Sequence, residues 1–388
     1  MRFLKKVFFI ITSLVAGYYF FSYFKIPENQ KTTLNETAAS RTTALTPAST
    51  VLTKDVLRIL DLIEQRGYKA KIFGGAVRNY ILGISLEDSD IDIATTMPAE
   101  EAADVLGKIA NVEKILRHRI KLKYNGKYYD IVVIDKRENP SASSTPIESF
   151  EEFSKSRDFT MNAIYMNRDG KLEDYNGGIA DIMSGKVRFV CDPLKRISEN
   201  YRRVFRYFRF VATCGNYNYD QEYISLINSF IQNKGEIKAS GIQYFLKEIL
   251  KTFHKSDSYR AVPAMRFLLE KIFNLDLSRN PLEICFKLGF DDMSPLERVS
   301  MLFKFSKIPM EVFIEKYDIS AFSEPMVNLL MLKDAIDIED AKSKLKDMPE
   351  ECRNFYMKYA LLKAYMSGTQ ESEIKKFVAE TKINFSWN

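Results

Sequence analysis

The chain has 388 residues, 46% apolar and 28% charged, an ordinary globular composition with length for two or three domains. Its net charge of +6 is modest, but the eight Lys/Arg and two acids of residues 186–210 carry all of it, forming a local basic patch able to meet phosphates. Four scattered cysteines without a CxxC pair, and only two histidines, His118 and His254, exclude a Cys/His zinc site and a His–Asp metal hydrolase. Free thiols fit a reducing, intracellular compartment.

In chain order, "RFLKK" precedes residues 7–24, eighteen residues without a charge, long enough to tether the chain to a membrane. A basic flank also fits a signal peptide; the positive-inside rule would place everything after an anchor outside the cell, against an intracellular catalytic domain, which leaves an organellar import segment, a mis-assigned start or an anchor of inverted topology. The Thr/Ala/Ser-rich stretch that follows reads as a flexible linker, so residues 1–50 stand apart and folding starts near Val51. "DVLRILDLIEQRGY" carries Val56, Ile59, Leu60 and Ile63 at helical spacing. "KAKIFGGAVRNYILG" reads as strand, glycine turn and helix, "SDIDIAT" as a strand, and residues 98–109 as a helix. "KLKYNGKYYDIVVID" is a hairpin turning at Asn125–Gly126. From about Pro193 helical periodicity runs to the end, giving an α/β domain with a small mixed sheet followed by an all-helical arm.

The chemistry concentrates in "FGGAVRNYILGISLEDSDIDIAT". Asp90 and Asp92 alternate with apolar residues, so both carboxylates project from one face of a strand. Two such carboxylates repel, and a hard divalent cation, magnesium, removes the conflict while also taking phosphate oxygens. Gly74 and Gly75 then let backbone N–H groups approach a triphosphate, the following helix adds its positive end, and Arg78 can clamp a phosphate. Asp130, in "YYDIVV", is the candidate third carboxylate. In the basic patch, Arg202, Arg206 and Arg209 fall within about 60° on a helical wheel, with Arg203 some 60° further on, while Val204, Phe208 and Val211 mark the packing side. Arg209 reads as the partner of an acidic neighbour.

"GGAVRNYILG…DIDIAT", "SRDFTMNAIYM", "DYNGGIADI", "VRFVCDPLKRI" and "ENYRRVFRYFRF" occur in the order seen in the class II template-independent nucleotidyltransferases, which the chain resembles over residues 73–214. These are the CCA-adding tRNA nucleotidyltransferases and the bacterial poly(A) polymerases. The resemblance implies a nucleotidyltransferase head with a five-stranded mixed sheet, placed here at residues 51–184. A helical neck that selects the nucleotide follows at 185–262, then a helical body and tail that hold RNA at 263–388. It implies that Asp90 and Asp92 bind catalytic Mg2+ and that Gly75 and Arg78 contact the triphosphate. Arg157, Asp158 and Asn162 would meet the sugar and phosphates, and Arg203 and Arg206 the incoming nucleotide. The implied partners are CTP, ATP and a tRNA or other RNA 3′ end. The alternatives are a poly(A) polymerase or A-adding enzyme, and a non-catalytic RNA-binding paralogue.

Two departures from the family pattern matter. Ser156 stands where the ribose motif usually has a first arginine, and Asn200 stands where the neck motif Glu-Asp-x-x-Arg has its aspartate. A carboxylate only accepts hydrogen bonds and so selects the amino group of C or A; an amide can accept or, turned over, donate to the O4 of U or the O6 of G.

Overall fold

The computed structural model describes residues 50–86, 90–116, 118–134, 149–214, 223–225, 227, 239–254, 256–288, 290, 292–334, 338–346, 348–370, 372–374 and 376. The apolar run at 7–24 lies outside them, and among the described residues no helix is long and apolar enough to cross a membrane.

Helix α1 (Lys54–Glu64) starts on Thr53, whose hydroxyl accepts from the Val56 N–H. Its stripe Val56, Ile59, Leu60 and Ile63 is fully buried, each side chain contributing about 1.5–3 kcal/mol of apolar burial. Strand β1 (Ala70–Phe73), α2 (Gly75–Ile81), β2 (Ile91–Thr95) and α3 (Ala99–Leu106) follow, then β3 (Asn111–Leu116), β4 (Arg119–Tyr124) and β5 (Lys127–Val133). The β4–β5 hairpin turns at Asn125 and Gly126, both at positive φ, as their sequence demands. Short elements α4 (Phe150–Ser154), β6 (Ile164–Met166), β7 (Leu172–Asp174) and α5 (Gly178–Ser184) complete the head.

The sheet has seven strands, not the five implied by resemblance, in the order β3-β4-β5-β2-β1-β6-β7. Only β2 and β5 run parallel; every other neighbouring pair is antiparallel. Strands β6 and β7, of three residues each, are too short to show alternation, and the edge strand β3 is bulged between Val112 and Lys114, which blurs its pattern. One face of the sheet, with Ile72, Ile91, Ile93, Ile120, Leu122 and Ile131, belongs to the main core. On the other face a second, small core gathers Phe73, Ala94, Val132 and Tyr165 under Phe150 and Phe153 of α4.

The remainder of the described chain is helical. Helix α6 (Pro193–Glu199), α7 (Arg202–Thr213), α8 (Ala239–Thr252) and α9 (Val262–Phe273) come first, and helices continue to Glu350–Met366. Helix α7 buries Val204, Phe208 and Val211 as its wheel requires, and Phe205, Tyr207 and Phe210 as well. It packs on α8 through Phe205 stacked on Phe245 (4.4 Å) and on α9 through Phe208 against Phe267 (6.1 Å). Of its arginines, Arg203 and Arg206 reach the head, while Arg202 and Arg209 meet Tyr244 and Glu248 of α8.

Candidate active site

Strand register builds the centre of the site. Asp92 of β2 lies opposite Phe73 of β1 and, on its other side, opposite Asp130 of β5. The same row continues through Lys121 and Lys114 one way, and through Tyr165 and Glu173 the other. Asp90 is exposed just ahead of β2, two residues from Asp92 and so on the same side. Gly74 sits at φ +72°, which a side chain resists, and a Cβ there would stand 3.3 Å from Asp92 Oδ2. Its first service is therefore to make room for a carboxylate.

Burial pushes the Asp92 carboxyl up to about 6, and the neighbouring Asp130 carboxylate adds to the rise; Arg119 and Arg157 oppose it. Arg119 lies 3.9 Å from Asp130. The Arg157 guanidinium is held over the rings of Phe153 (4.4 Å) and Phe73 (5.2 Å), and its buried Nε has no hydrogen-bond partner among the described residues. The site thus holds two adjacent carboxylates with too little positive charge. That is a donor set a hard dication relieves. Among the described residues no three His, Cys, Asp or Glu side chains form a metal-binding cluster. Magnesium nevertheless fits the residues present, because it commonly takes one or two carboxylates and completes its shell with water and substrate phosphate.

A second group links head to neck. Arg78 Nη1 donates to Asn162 Oδ1 (2.7 Å), and Asn162 Nδ2 donates to Asp158 Oδ1 (3.0 Å). Asp158 Oδ2 accepts from Arg206 Nε (2.6 Å). Burial alone would raise the Asp158 carboxyl, but Arg206 and the hydrogen bonds of Asn162 and the Phe159 N–H hold it below its ordinary value. Among the described residues Arg78 bonds only to the neutral oxygens of Asn162 and Asn79, and it rests 4.8 Å over the Phe210 ring. Burial lowers its pKa below the ordinary guanidinium value, so its charge is poorly solvated and suited to an anion. Since α2 spans only seven residues, this guanidinium is a stronger attraction for phosphate than the helix end.

The neck start forms a third group. Arg203 Nη1 donates to Glu199 Oε2 and to the Arg196 carbonyl (both 2.8 Å), while its Nη2 donates to the Ser156 carbonyl (3.2 Å). Glu199 also pairs with Arg196. Asn200, exposed between α6 and α7, accepts the Arg202 N–H on Oδ1 (3.1 Å). Arg209 pairs with buried Glu248 of α8 at 2.5 Å, as expected of it.

Sequence reasoning missed Arg119, the counter-charge of Asp130, and Phe210, whose ring meets the guanidinium groups of Arg78, Arg206 and Arg209. The motif "DYNGGIADI" proves architectural. Asp174 accepts from the N–H groups of Gly178 and Ile179, and a Cβ on Gly178 would lie 2.2 Å from the Thr160 carbonyl oxygen.

Residues 70–188 match the family model described as the poly A polymerase head domain. A CCA-adding enzyme from Geobacillus sp. (strain WCH70) is 35% identical over 173 residues, which is 43% of this chain and 41% of that protein. The chain thus spans about two fifths of the curated relatives it matches. A solved structure of the Bacillus stearothermophilus CCA-adding enzyme in complex with CTP superposes with a TM-score of 0.60 at 22% identity, over 87% of this chain and 84% of that one. A tRNA nucleotidyltransferase solved with a primer tRNA and an incoming ATP analogue gives 0.58 at 19% identity, over 84% and 98%. Residues 70–188 are thus similar to a poly A polymerase head, and the chain shares the fold of solved CCA-adding enzymes.

Proposed function

We propose that this chain is a magnesium-dependent, template-independent RNA nucleotidyltransferase that adds C, C and A to the 3′ end of tRNA inside the cell. The observation that carries the reading is the Asp92–Asp130 pair beside Gly74, with Asp90 at the strand entrance and under-neutralised arginines on one side. The relatives and the solved structures add the substrate class, since they are CCA-adding enzymes and complexes with CTP, an ATP analogue and tRNA.

Arg78 and Arg157, each short of a carboxylate partner, hold the triphosphate. Asn162 fixes Arg78, and Asp158 fixes Asn162 and Arg206, so the head cradle and the neck helix are set by one hydrogen-bonded chain. Asp90 and Asp92, with Asp130 adjacent, hold Mg2+, which stabilises charge on the attacking and leaving oxygens when bound. The RNA 3′ oxygen forms a bond to the α-phosphorus, the bond to pyrophosphate breaks, and the hydroxyl proton passes to the carboxylate pair. Asn200 and Arg203 at the neck start meet the base, residues 185–262 select the nucleotide, and residues 263–388 hold the RNA.

The test is incubation of the full chain with a tRNA transcript lacking CCA, with CTP, ATP or both, and sizing of the products. Addition of three nucleotides with both, and of two with CTP alone, is the expected result; no extension with any nucleotide overturns the reading. A long A tract from ATP alone would instead assign a poly(A) polymerase, the activity named in the description of the head model.

A further inference from the structure

The row of side chains through Asp92 does not end at the carboxylates. Beyond Asp130 the same face of the sheet carries Lys121 on β4 and Lys114 on β3, with Arg119 and Lys123 on either side of Lys121 along β4. The pleat turns Ile120 and Leu122 into the core and leaves this basic set on the open face. Both Lys121 and Lys123 place their ammonium groups over the Tyr128 ring, at 4.6 and 5.3 Å. Among the described residues neither pairs with a carboxylate. Arg119 answers Asp130, but nothing in the core or in the nucleotide cradle accounts for the lysines.

Their position decides their use. Phosphoryl transfer needs the attacking and leaving oxygens roughly in line through phosphorus. Arg78, Arg157, Asn162 and Arg206 all lie on the β1, β6 and neck side of Asp92, where the triphosphate is proposed to sit. The attacking 3′ hydroxyl must then arrive from the β5 side. There the strand spacing puts Lys121 about 10 Å and Lys114 about 14 Å from Asp92, and alternate residues of β4 repeat about every 7 Å. A row of cations at that repeat matches a backbone carrying one negative charge per nucleotide. Tyr128 offers an aromatic face beside it, on which a base can stack.

We infer that the open face of β4 and β5, formed by Arg119, Lys121, Lys123 and Tyr128, is the track that guides the terminal phosphates of the acceptor RNA to the carboxylates. The inference rests on the nucleotidyltransferase reading above and adds where the RNA strand runs. Lys121→Gln/Lys123→Gln removes two charges and leaves a shorter, neutral polar side chain at each position. Equilibrium binding of a tRNA transcript lacking CCA, without nucleotide, is measured against salt for wild type, this variant and Lys108→Gln, an exposed lysine of the α3 end paired with Asp104.

If the last nucleotides are single-stranded, each contact adds about 0.7 to the slope of log K against log salt, so the slope falls by about 1.4. Over the decade from 1 M down to 0.1 M salt that amounts to about a 25-fold weaker affinity. The apparent KM for CTP stays unchanged. An unaltered slope and affinity, or an equal loss in Lys108→Gln, overturns the inference. A raised KM for CTP with RNA binding intact also overturns it, assigning the strip to the triphosphate. Because binding is read without turnover, a wild type that binds through the strip but extends no RNA defeats the proposed activity while leaving the track supported.

Discussion

Replacing Asp92 by asparagine should raise the stability of the metal-free chain while abolishing nucleotide transfer. Asp92 is enclosed, faces Asp130, and has its carboxyl raised from the ordinary 3.8 to about 6. Between these values the folded chain keeps a proton that the unfolded chain has lost. Stability therefore falls as pH rises through the interval and levels off above it. At about 1.36 kcal/mol per pH unit, charging Asp92 costs the folded state about 3 kcal/mol at pH 7. Asparagine keeps the shape and never ionises, so Asp92→Asn should recover most of that energy, a rise in melting temperature of about 4 °C for a chain of this length. The assay is thermal unfolding in EDTA at pH 4, 6 and 8, repeated with millimolar Mg2+. The difference between the proteins should be near zero at pH 4 and full at pH 8. Mg2+ should raise the melting temperature of wild type at pH 8 and leave the variant unmoved. An Asp92→Asn variant no more stable than wild type at pH 8 in EDTA, or a gap that persists at pH 4, would refute the account of this site as a destabilised carboxylate pair.

Gly74→Ala combines a strained positive φ with a Cβ against Asp92, whereas Gly67→Ala has similar strain and open space. Each should lose about 1–3 kcal/mol, but only Gly74→Ala should also lose at least about tenfold in nucleotide incorporation, read by single-turnover extension. Arg206→Ala leaves Asp158 without its cation and should cost about 3 kcal/mol at pH 7 in urea unfolding. Because Asp158 sits below its ordinary value in the folded chain, that cost should shrink as pH falls below 3.8, where the carboxylate becomes neutral. Asn200→Asp should raise the CTP-over-UTP incorporation ratio by about tenfold or more, since setting two acceptors against each other once a bound base has excluded water costs roughly 1–3 kcal/mol. Equal ratios in the two proteins would place base selection elsewhere.

What sequence made legible here is local. The α1 stripe, the Asn125–Gly126 hairpin and the alternation of Asp90 and Asp92 each follow from a few consecutive residues, and each appears in the structure where its spacing requires. Placing Asp130 beside Asp92 needs a parallel pairing across more than thirty residues, which no window of sequence specifies; choosing it was chemistry, and the register puts it there. The contact of Gly74 with Asp92, the pairing of Asp158 with Arg206 and the guanidiniums around Phe210 are long-range in the same way. So was the number of strands, because three-residue strands are fixed by their neighbours rather than by their own pattern.

Asn200 shows how the two kinds of information combine. Sequence could establish that the amide has two faces, but not which one the site uses. A backbone N–H can only donate, so the bond from the Arg202 N–H fixes Oδ1 towards the start of α7 and turns Nδ2 the other way. An aspartate here would keep a second acceptor on the side where this chain has a donor. In the proposed reading, the bond that holds Oδ1 leaves Nδ2 to face the base, the polarity that O4 of uracil accepts.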